Sequence, residues 1–355
     1  MNWTFAPASN LVSHVNVWDG LARQYCDVVF MSSSFLLPLI DELGNGDEIL
    51  ALCRQGDRLI AGAILYQPRF GFWKTFKPSQ LPLGAWLSDS GDVLPELTLT
   101  LLRTLPGIAL KLDIGPLDPR LMARLPQGPY WQTQSHIITS HIEIQGTYED
   151  YWNSRSKSLR QNCRTQRNRL RSSATDAALE CLTERADIMQ ALLEYGQLET
   201  SGWKGKAGTA IRAGTPQGRF YERMLEGLCE LGQAIVFRYR IGGRPVAIDL
   251  CIRNERELIV LKITYDESME GLSPAALMRQ DQLRWLWGDS LIKRIEFYGR
   301  TMEWTKRWTD QERTLYYFSA FRSKGWMKAV EIMRRLKQLL NRLHTQRVEE
   351  SSNSN

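Results

Sequence analysis

The strongest constraint on this chain is that it spells out one order of elements twice. In the first half, hydrophobic periodicity predicts a short helix over 35–42, a hairpin of 48–54 and 58–67 around Gln55-Gly56-Asp57, and an amphipathic helix over 93–103. A buried strand over 108–114 follows, closed by Gly115-Pro116, and then an alternating strand over 136–144 with Ile138, Ser140, Ile142 and Ile144 on one side. The second half predicts a long polar helix over 148–172, helices over 186–198 and 220–231, and a hairpin of 234–241 and 245–254 over Gly242-Gly243. It continues with a strand over 257–265, a helix over 273–287 opened by Pro274, and a strand over 292–298. No short sequence repeat underlies this order, so the halves are expected to share topology only. At about 150 residues per domain, 355 residues also make two domains. The layout is α/β in the layered α+β sense, with mixed, mostly antiparallel sheets flanked by helices.

The halves differ in charge. Residues 1–150 carry 10 basic and 15 acidic side chains and residues 151–355 carry 35 and 24, so the net runs from −5 to +11. That asymmetry predicts an anionic partner for the second half: a phosphate-bearing co-substrate, a nucleic acid or a membrane surface. Seven cations and no acid fall between Arg155 and Arg171. On a helix, Lys157, Arg160, Arg164, Arg167 and Arg171 share a stripe about 80° wide, with Leu159, Cys163 and Leu170 as an apolar seam beside it. No aromatic residues interleave these cations, which weighs against nucleic acid. The stretch from Arg322 to Arg347 has eight basic residues and one acid, with Trp326, Val330, Met333, Leu336, Leu340 and Leu343 at helical spacing. Such a helix packs across a sheet or lies on anionic lipid; 349–355 is expected to be disordered.

Other classes are disfavoured by composition. The longest apolar run, Val28 to Ile40, is interrupted by Ser32, Ser33 and Ser34, and a spanning helix needs about 20 mostly apolar residues. The first thirty residues hold a single Arg and no signal-peptide pattern, so a cytoplasmic protein is expected. The six cysteines lie 18 or more positions apart, with no Cys-x-x-Cys and none near a His, which predicts neither a zinc site nor a disulfide framework.

One junction carries chemistry. After the strand over 257–265 the chain turns through Asp266 to Leu272, where Asp266 and Glu267 are expected to shape the turn, and re-enters a helix at Ser273-Pro274-Ala275-Ala276. Ser273 suits an N-cap and Pro274 the first helical position, leaving free N–H groups at the positive helix end, where a phosphate can dock. In order along the chain, Arg155-Ser156-Lys157, Gly202-Trp203-Lys204-Gly205, Gly243-Arg244-Pro245-Val246-Ala247, Leu261-Lys262-Ile263-Thr264-Tyr265-Asp266, Ser273-Pro274 and Lys306-Arg307-Trp308 resemble the GNAT-fold acyltransferases related to the cellulose-biosynthesis protein CelD, which are similar to the FemAB aminoacyl transferases. The matching pieces span about 148–310. The resemblance implies tandem GNAT-type domains, residues 1–146 GNAT-like and residues 147–320 the CelD-like acyltransferase, followed by 321–355 as a basic amphipathic helix and tail; the acidic predominance and the lack of a capped phosphate loop in residues 1–150 predict that the first domain is structural. The resemblance also implies acyl-CoA or acetyl-CoA as co-substrate, no metal, and a pyrophosphate at the helix opened by Ser273. Two departures stand out. The usual Arg/Gln-x-x-Gly-x-Gly/Ala loop is absent, and Ala275 replaces a Gly expected after Ser-Pro.

Acyl transfer needs a base for the acceptor, a donor for the carbonyl oxygen and an acid for the leaving thiolate. Asp249 is the candidate base, because a carboxylate among Val, Ile, Leu and Cys should be paired or have a raised pKa; alternation alternatively places it on the solvent face of its strand. Tyr265 is the candidate acid. Lys262, Gly271, Ser273, Ala275 and Ala276 are the candidate cofactor-binding residues. The glycine-rich loop around Trp203, Lys204 and Lys206, together with Glu303, Lys306 and Trp308 near the last strand, is the candidate acceptor surface. The family implies a small or polymeric acceptor with an amine or hydroxyl, such as a cell-envelope or exopolysaccharide precursor. Further partners under this reading are an acyl carrier protein and an anionic membrane, with the protein peripheral at the inner face. Two other classes compete: a catalytically silent GNAT-fold protein binding an anionic polymer or lipid, and a FemAB-like transferase that takes its acyl group from charged tRNA.

Overall fold

The structure is a computed structural model and describes residues 1–89, 91–202 and 210–333. In chain order its elements are β1 (Asn2–Pro7), α1 (Val15–Tyr25), α2 (Ser33–Leu43), β2 (Ile49–Gln55), β3 (Arg58–Arg69), β4 (Phe72–Thr75), β5 (Trp86–Ser88), α3 (Leu94–Thr104), β6 (Lys111–Leu117) and β7 (Trp131–Glu143). The second half adds α4 (Tyr148–Ser154), α5 (Lys157–Ser172), β8 (Ala177–Leu182), α6 (Arg185–Ser201), α7 (Pro216–Glu230), β9 (Ala234–Ile241), β10 (Arg244–Arg253), β11 (Glu257–Tyr265), α8 (Pro274–Gly288), β12 (Arg294–Glu296), α9 (Glu303–Lys306) and β13 (Glu312–Phe321). A helical stretch over 324–333 follows, and the rest of the basic C-terminal segment lies outside the described residues.

The strands form one sheet in the order β1-β2-β3-β4-β6-β13-β7-β12-β11-β10-β9-β8, with β5 on β3. This order is symmetric about its centre. In each half a run of antiparallel strands ends in one parallel pair, β4 with β6 and β11 with β12. The halves then exchange their last strands. β13, from the end of the second half, pairs with β6 of the first, while β7 pairs with β12 of the second, and β7 and β13 lie together at the centre. The expected topological duplication is therefore present, in interlocked form.

Local chemistry explains most elements. The β9–β10 hairpin turns through Gly242 and Gly243 with φ +56° and +76°, which two consecutive non-glycine residues rarely adopt. The expected helix over 148–172 is two helices, because Ser156 caps α5 by accepting from the Leu159 N–H at 3.2 Å while Arg155 stays extended. The strand expected to close at Gly115 runs through to Leu117. The sequence reading does not select α1 or β13, and β4, β5 and β8 are too short to show a period of their own. One apolar core under α1, α2, α6 and α7 is continuous across both halves, with Phe35 edge-on to Phe220 at 5.4 Å. On the other face α3 covers the first half and α4, α5 and α8 the second.

Where the strands cross over, charge is buried. Arg313 on β13 donates to Asp118 at 2.6 and 2.8 Å and to Glu296 at 2.8 Å, and Arg120 donates to Glu257 at 2.8 Å. The carboxyl groups of Asp118 and Glu296 are fully excluded from solvent. Burial would raise the Asp118 pKa, but the bonds and field of Arg313 outweigh it and hold the carboxyl below its usual range. For Glu296 burial wins over Arg313 and pushes the pKa up to about 7. Replacing one partner of such a network leaves an uncompensated buried charge. Arg313→Met should lower unfolding free energy by about 3–5 kcal/mol in denaturant titrations. A raised carboxyl pKa means the folded state holds a proton that the unfolded chain releases, so Glu296 costs stability as pH rises from 4.5 towards 7. The stability of Glu296→Gln relative to the parent protein should accordingly increase with pH across that window, and a flat difference would contradict the assignment.

Candidate functional site

β11 and β12 are paired only from Glu257 to Ile259 against Arg294 to Glu296. Past that point β11 continues for six residues to Tyr265 while the other chain bends away, and a cavity of about 370 Å³ opens between them. Its walls are Ile263, Thr264 and Tyr265 of β11, Leu198, Glu199 and Gly202 at the end of α6, the turn holding Glu267 and Glu270, the first turns of α8 from Ser273 to Arg279, and Trp304, Arg307 and Trp308.

The turn after β11 is built by Asp266, whose carboxylate accepts from the Ser268 N–H at 3.0 Å and the Ser268 hydroxyl at 2.6 Å. The chain then reaches α8 through Ser273 in a left-handed conformation, φ 50° and ψ 52°, with no side-chain cap bond. Ser273 therefore occupies the N-cap position without spending its hydroxyl on the helix. Pro274 brings no N–H, and the Ala275 N–H precedes the first helical acceptor. Ser273, Ala275 and Ala276 all line the cavity, as does Tyr265, which is 38% exposed. Gly271 does not line it; its carbonyl accepts from Arg169 at 3.4 Å.

Asp249 is neither on the solvent face nor in the cavity. It lies on β10 facing α8, fully buried, with Arg279 at 2.7 Å. Burial raises its pKa, and Arg279 opposes the rise. Arg279 in turn lines the cavity and sits under the rings of Phe297 and Trp304, 5.5 and 6.0 Å from their centroids. Trp308 lines the cavity and is buried, stacked on Trp152 at 6.2 Å. Glu303 and Lys306 point outward and pair with each other at 2.8 Å in solvent. Lys262 faces the opposite side of the sheet and lines another cavity. Trp203, Lys204 and Lys206 lie outside the described residues.

The structure adds groups that the sequence reading did not select. Glu199 is buried, accepts from the Tyr195 hydroxyl at 2.8 Å and from the Ile211 N–H at 2.8 Å, and still lines the cavity. Its signal was an acid on the apolar stripe of α6, in line with Ile188, Ala191, Leu192 and Tyr195. Arg279 and Arg307 complete the polar lining; Arg279 could have been found as the counter-charge a buried Asp249 requires.

Alongside α8 runs a groove of about 680 Å³, lined by Lys157, Arg160, Arg164, Arg167 and Arg171 of α5 and by Arg284 of α8, with no carboxylate in its lining. Arg167 is paired with Asp281 at 2.5 Å. The expected basic stripe is thus one wall of a built groove. In the first half the position equivalent to the cavity is closed. The Thr75 hydroxyl donates to Gly115 O, the Gly84 N–H donates to Pro116 O, and Leu81, Leu83 and Ala85 fill the space after β4. A Cβ on Gly84 would lie 2.4 Å from the Thr75 hydroxyl oxygen, so only glycine lets this plug seat.

Residues 157–306 match the family described as acetyltransferase (GNAT) domain. The match covers α5 to α9 and stops short of β13. Among solved structures, FemX aligns with TM-score 0.56 at 10% identity, covering 93% of this chain and 100% of FemX. The C-terminal domain of a putative lysylphosphatidylglycerol synthetase from Agrobacterium fabrum aligns with TM-score 0.54 at 10% identity, covering 91% of this chain and 95% of that one. At these identities the likeness is one of fold. No curated relative matches at the level of sequence.

If Asp249 is the counter-ion of Arg279, Asp249→Ala strands a buried guanidinium and should cost about 3–5 kcal/mol of stability in denaturant unfolding. Unchanged stability would break that assignment.

Proposed function

We propose that this chain is an acyltransferase whose second half carries an acyl thioester in the cavity between β11 and the segment after β12. The observation that carries this reading is the α8 N-terminus. There, in the wall of a cavity made by two diverging parallel strands, the Ser273 hydroxyl is free of capping and the Ala275 amide has no helical acceptor. A helix end of this kind holds a diphosphate, and Arg307 supplies a cation nearby. The GNAT domain match over 157–306 points to acetyl-CoA or another acyl-CoA as the donor.

In this reading the acceptor's amine or hydroxyl attacks the thioester carbonyl, the new C–N or C–O bond forms as the C–S bond breaks, and the thiolate leaves. Glu199 is placed to take the acceptor's proton, since it is the buried carboxylate in the lining. Tyr265, in the same lining, is placed to protonate the thiolate. Asp249 acts through Arg279, holding it in place. The closed equivalent in the first half supports a structural role for residues 1–146, with 147–320 as the transferase unit. The CelD-like resemblance favours an envelope or exopolysaccharide precursor as acceptor. The basic segment after Arg322 favours work beside an anionic membrane; none of the described helices is long and apolar enough to cross one.

A second reading is favoured by the groove. Five cations along α5, spaced about one per 5.4 Å helical turn, would neutralise a run of phosphates, as the FemAB resemblance implies for an RNA-borne acyl donor. The same wall would fit an acidic acyl carrier protein.

Isothermal titration tests the first reading. Acetyl-CoA should bind, and Ser273→Asp, which puts a negative charge where the diphosphate sits, should weaken binding by at least about ten-fold, a change of about 1.4 kcal/mol. Glu199→Gln should leave coenzyme A affinity unchanged and reduce thiol release in the presence of amine acceptors by about 10²–10⁴-fold. No acyl-CoA binding, together with tRNA retention that falls steeply with salt and is lost in Arg160→Glu/Arg164→Glu, would replace the first reading by the second.

A further inference from the structure

A second cavity, of about 260 Å³, sits on the other side of the same strand. Lys262 pairs with Leu250, a residue of the core under α6 and α7. Ile259 to Lys262 line this cavity and Ile263 to Tyr265 line the first, so successive stretches of one strand serve two cavities. The second is walled by Ile259 to Lys262 and by Phe297 to Gly299 from the second half, and closed by the segment from Lys77 to Pro82 and by His136 from the first. It exists only because both halves are present.

Its electrostatics are one-sided. Lys77 and Lys262 line it, with no Asp or Glu in the lining. Lys77 is half-buried and makes no hydrogen bond or ion pair with any described residue. Burial, with no carboxylate to offset it, pushes its ammonium below the ordinary lysine pKa. His136 cannot balance it: burial, then the fields of Lys77 and Arg300, push its pKa down and favour the neutral ring. An ammonium held partly out of water beside a second cation is destabilised unless an anion joins it, and the part-buried cations Arg120 and Arg313 of the seam each have a carboxylate. Among the described residues none supplies a negative charge to Lys77, so the cavity is set to take one from a ligand.

We propose that this cavity is the acceptor subsite of the transfer reaction and that the acceptor carries a compact anion, a phosphate or a carboxylate, seated against Lys77 and Lys262. The assignment of an acceptor rests on the acyl-transfer reading above; the anion site itself does not. The acceptor's amine or hydroxyl then approaches the thioester from the face opposite α8, through the gap left by the early end of the β11–β12 pairing.

The direct readout is the chemical reactivity of Lys77, followed by mass spectrometry after trace labelling with citraconic anhydride on the full chain. Inorganic phosphate and formate are the probes for the two anion classes. The favoured anion, at ten times its Kd, should slow Lys77 labelling about ten-fold, and Lys262→Met should remove most of that protection. Whichever probe protects at lower concentration identifies the class. Coenzyme A titration of the same preparation separates the two claims. Coenzyme A binding with no protection of Lys77 by either anion overturns the subsite and leaves the donor reading intact. Protection without coenzyme A binding upholds the anion site and removes the acyl-CoA donor.

Discussion

The parallel pairing of β11 with β12 lasts three residue pairs, and the binding geometry of the second half follows from that early end. A strand that loses its neighbour keeps its N–H and C=O groups, which must then find other partners or water. One is supplied from within, since the Ile263 carbonyl accepts from the Tyr195 hydroxyl at 3.2 Å. That same hydroxyl holds Glu199 at 2.8 Å, so the open strand edge and the buried carboxylate are parts of one arrangement. A ligand entering the gap meets a strand edge, a helix N-terminus and an oriented acid together, without any of these having to move into place.

The first half shows what happens to the same topology when the gap is not kept open. Its parallel pair, β4 with β6, also ends after three pairs, but the chain after β4 folds back and fills the space with Leu81, Leu83 and Ala85. The plug is tied by backbone bonds to Pro116 and by the Thr75 hydroxyl to Gly115. This half lends the second its wall and β7, and receives β13. Because the exchanged strands meet over the buried charges of Asp118, Glu296, Arg120 and Arg313, neither half can close its own sheet alone.

Much of this was legible from sequence, and the limits are physical. The hairpin over Gly242-Gly243, the helix opened by Pro274 and the basic stripe of α5 each follow from local rules, and the structure shows all of them. The strand exchange did not show, since a strand's own residues do not say which edge it will pair with. Of the residues selected from sequence, Tyr265, Ser273, Ala275, Ala276 and Trp308 line the cavity, the first four because they flank the strand–helix boundary directly. It placed Lys262, Glu303 and Lys306 there too, and the structure turns all three away. A single strand residue of phase separates the two faces of β11, and a four-residue helix shows too little of a pattern to say which side faces inward. Glu199 was missed because one of its partners, the Ile211 N–H, lies beyond the end of α6, where helical spacing says nothing.

The distribution of charge sharpens what the donor site must do. The second half is strongly cationic, yet its cavity is lined by Glu199, Glu267 and Glu270 against Arg279 and Arg307, and Arg279 is already committed to Asp249. Net positive charge therefore resides in the groove along α5, outside the chemistry. Under the proposed acyl-thioester reading, long-range attraction and local holding are separate tasks: the groove would draw anions towards this face over distances of a Debye length, about 8 Å at physiological salt, while the cavity would hold a diphosphate through directed donors at a helix end. In that reading the surrounding carboxylates would make the local site selective, because an anion not aligned with Ser273, the Ala275 amide and Arg307 would meet repulsion. An acid-rich chamber also suits a reaction that must take a proton from an incoming amine, since a nearby carboxylate stabilises the ammonium that docks and a buried one can remove its proton.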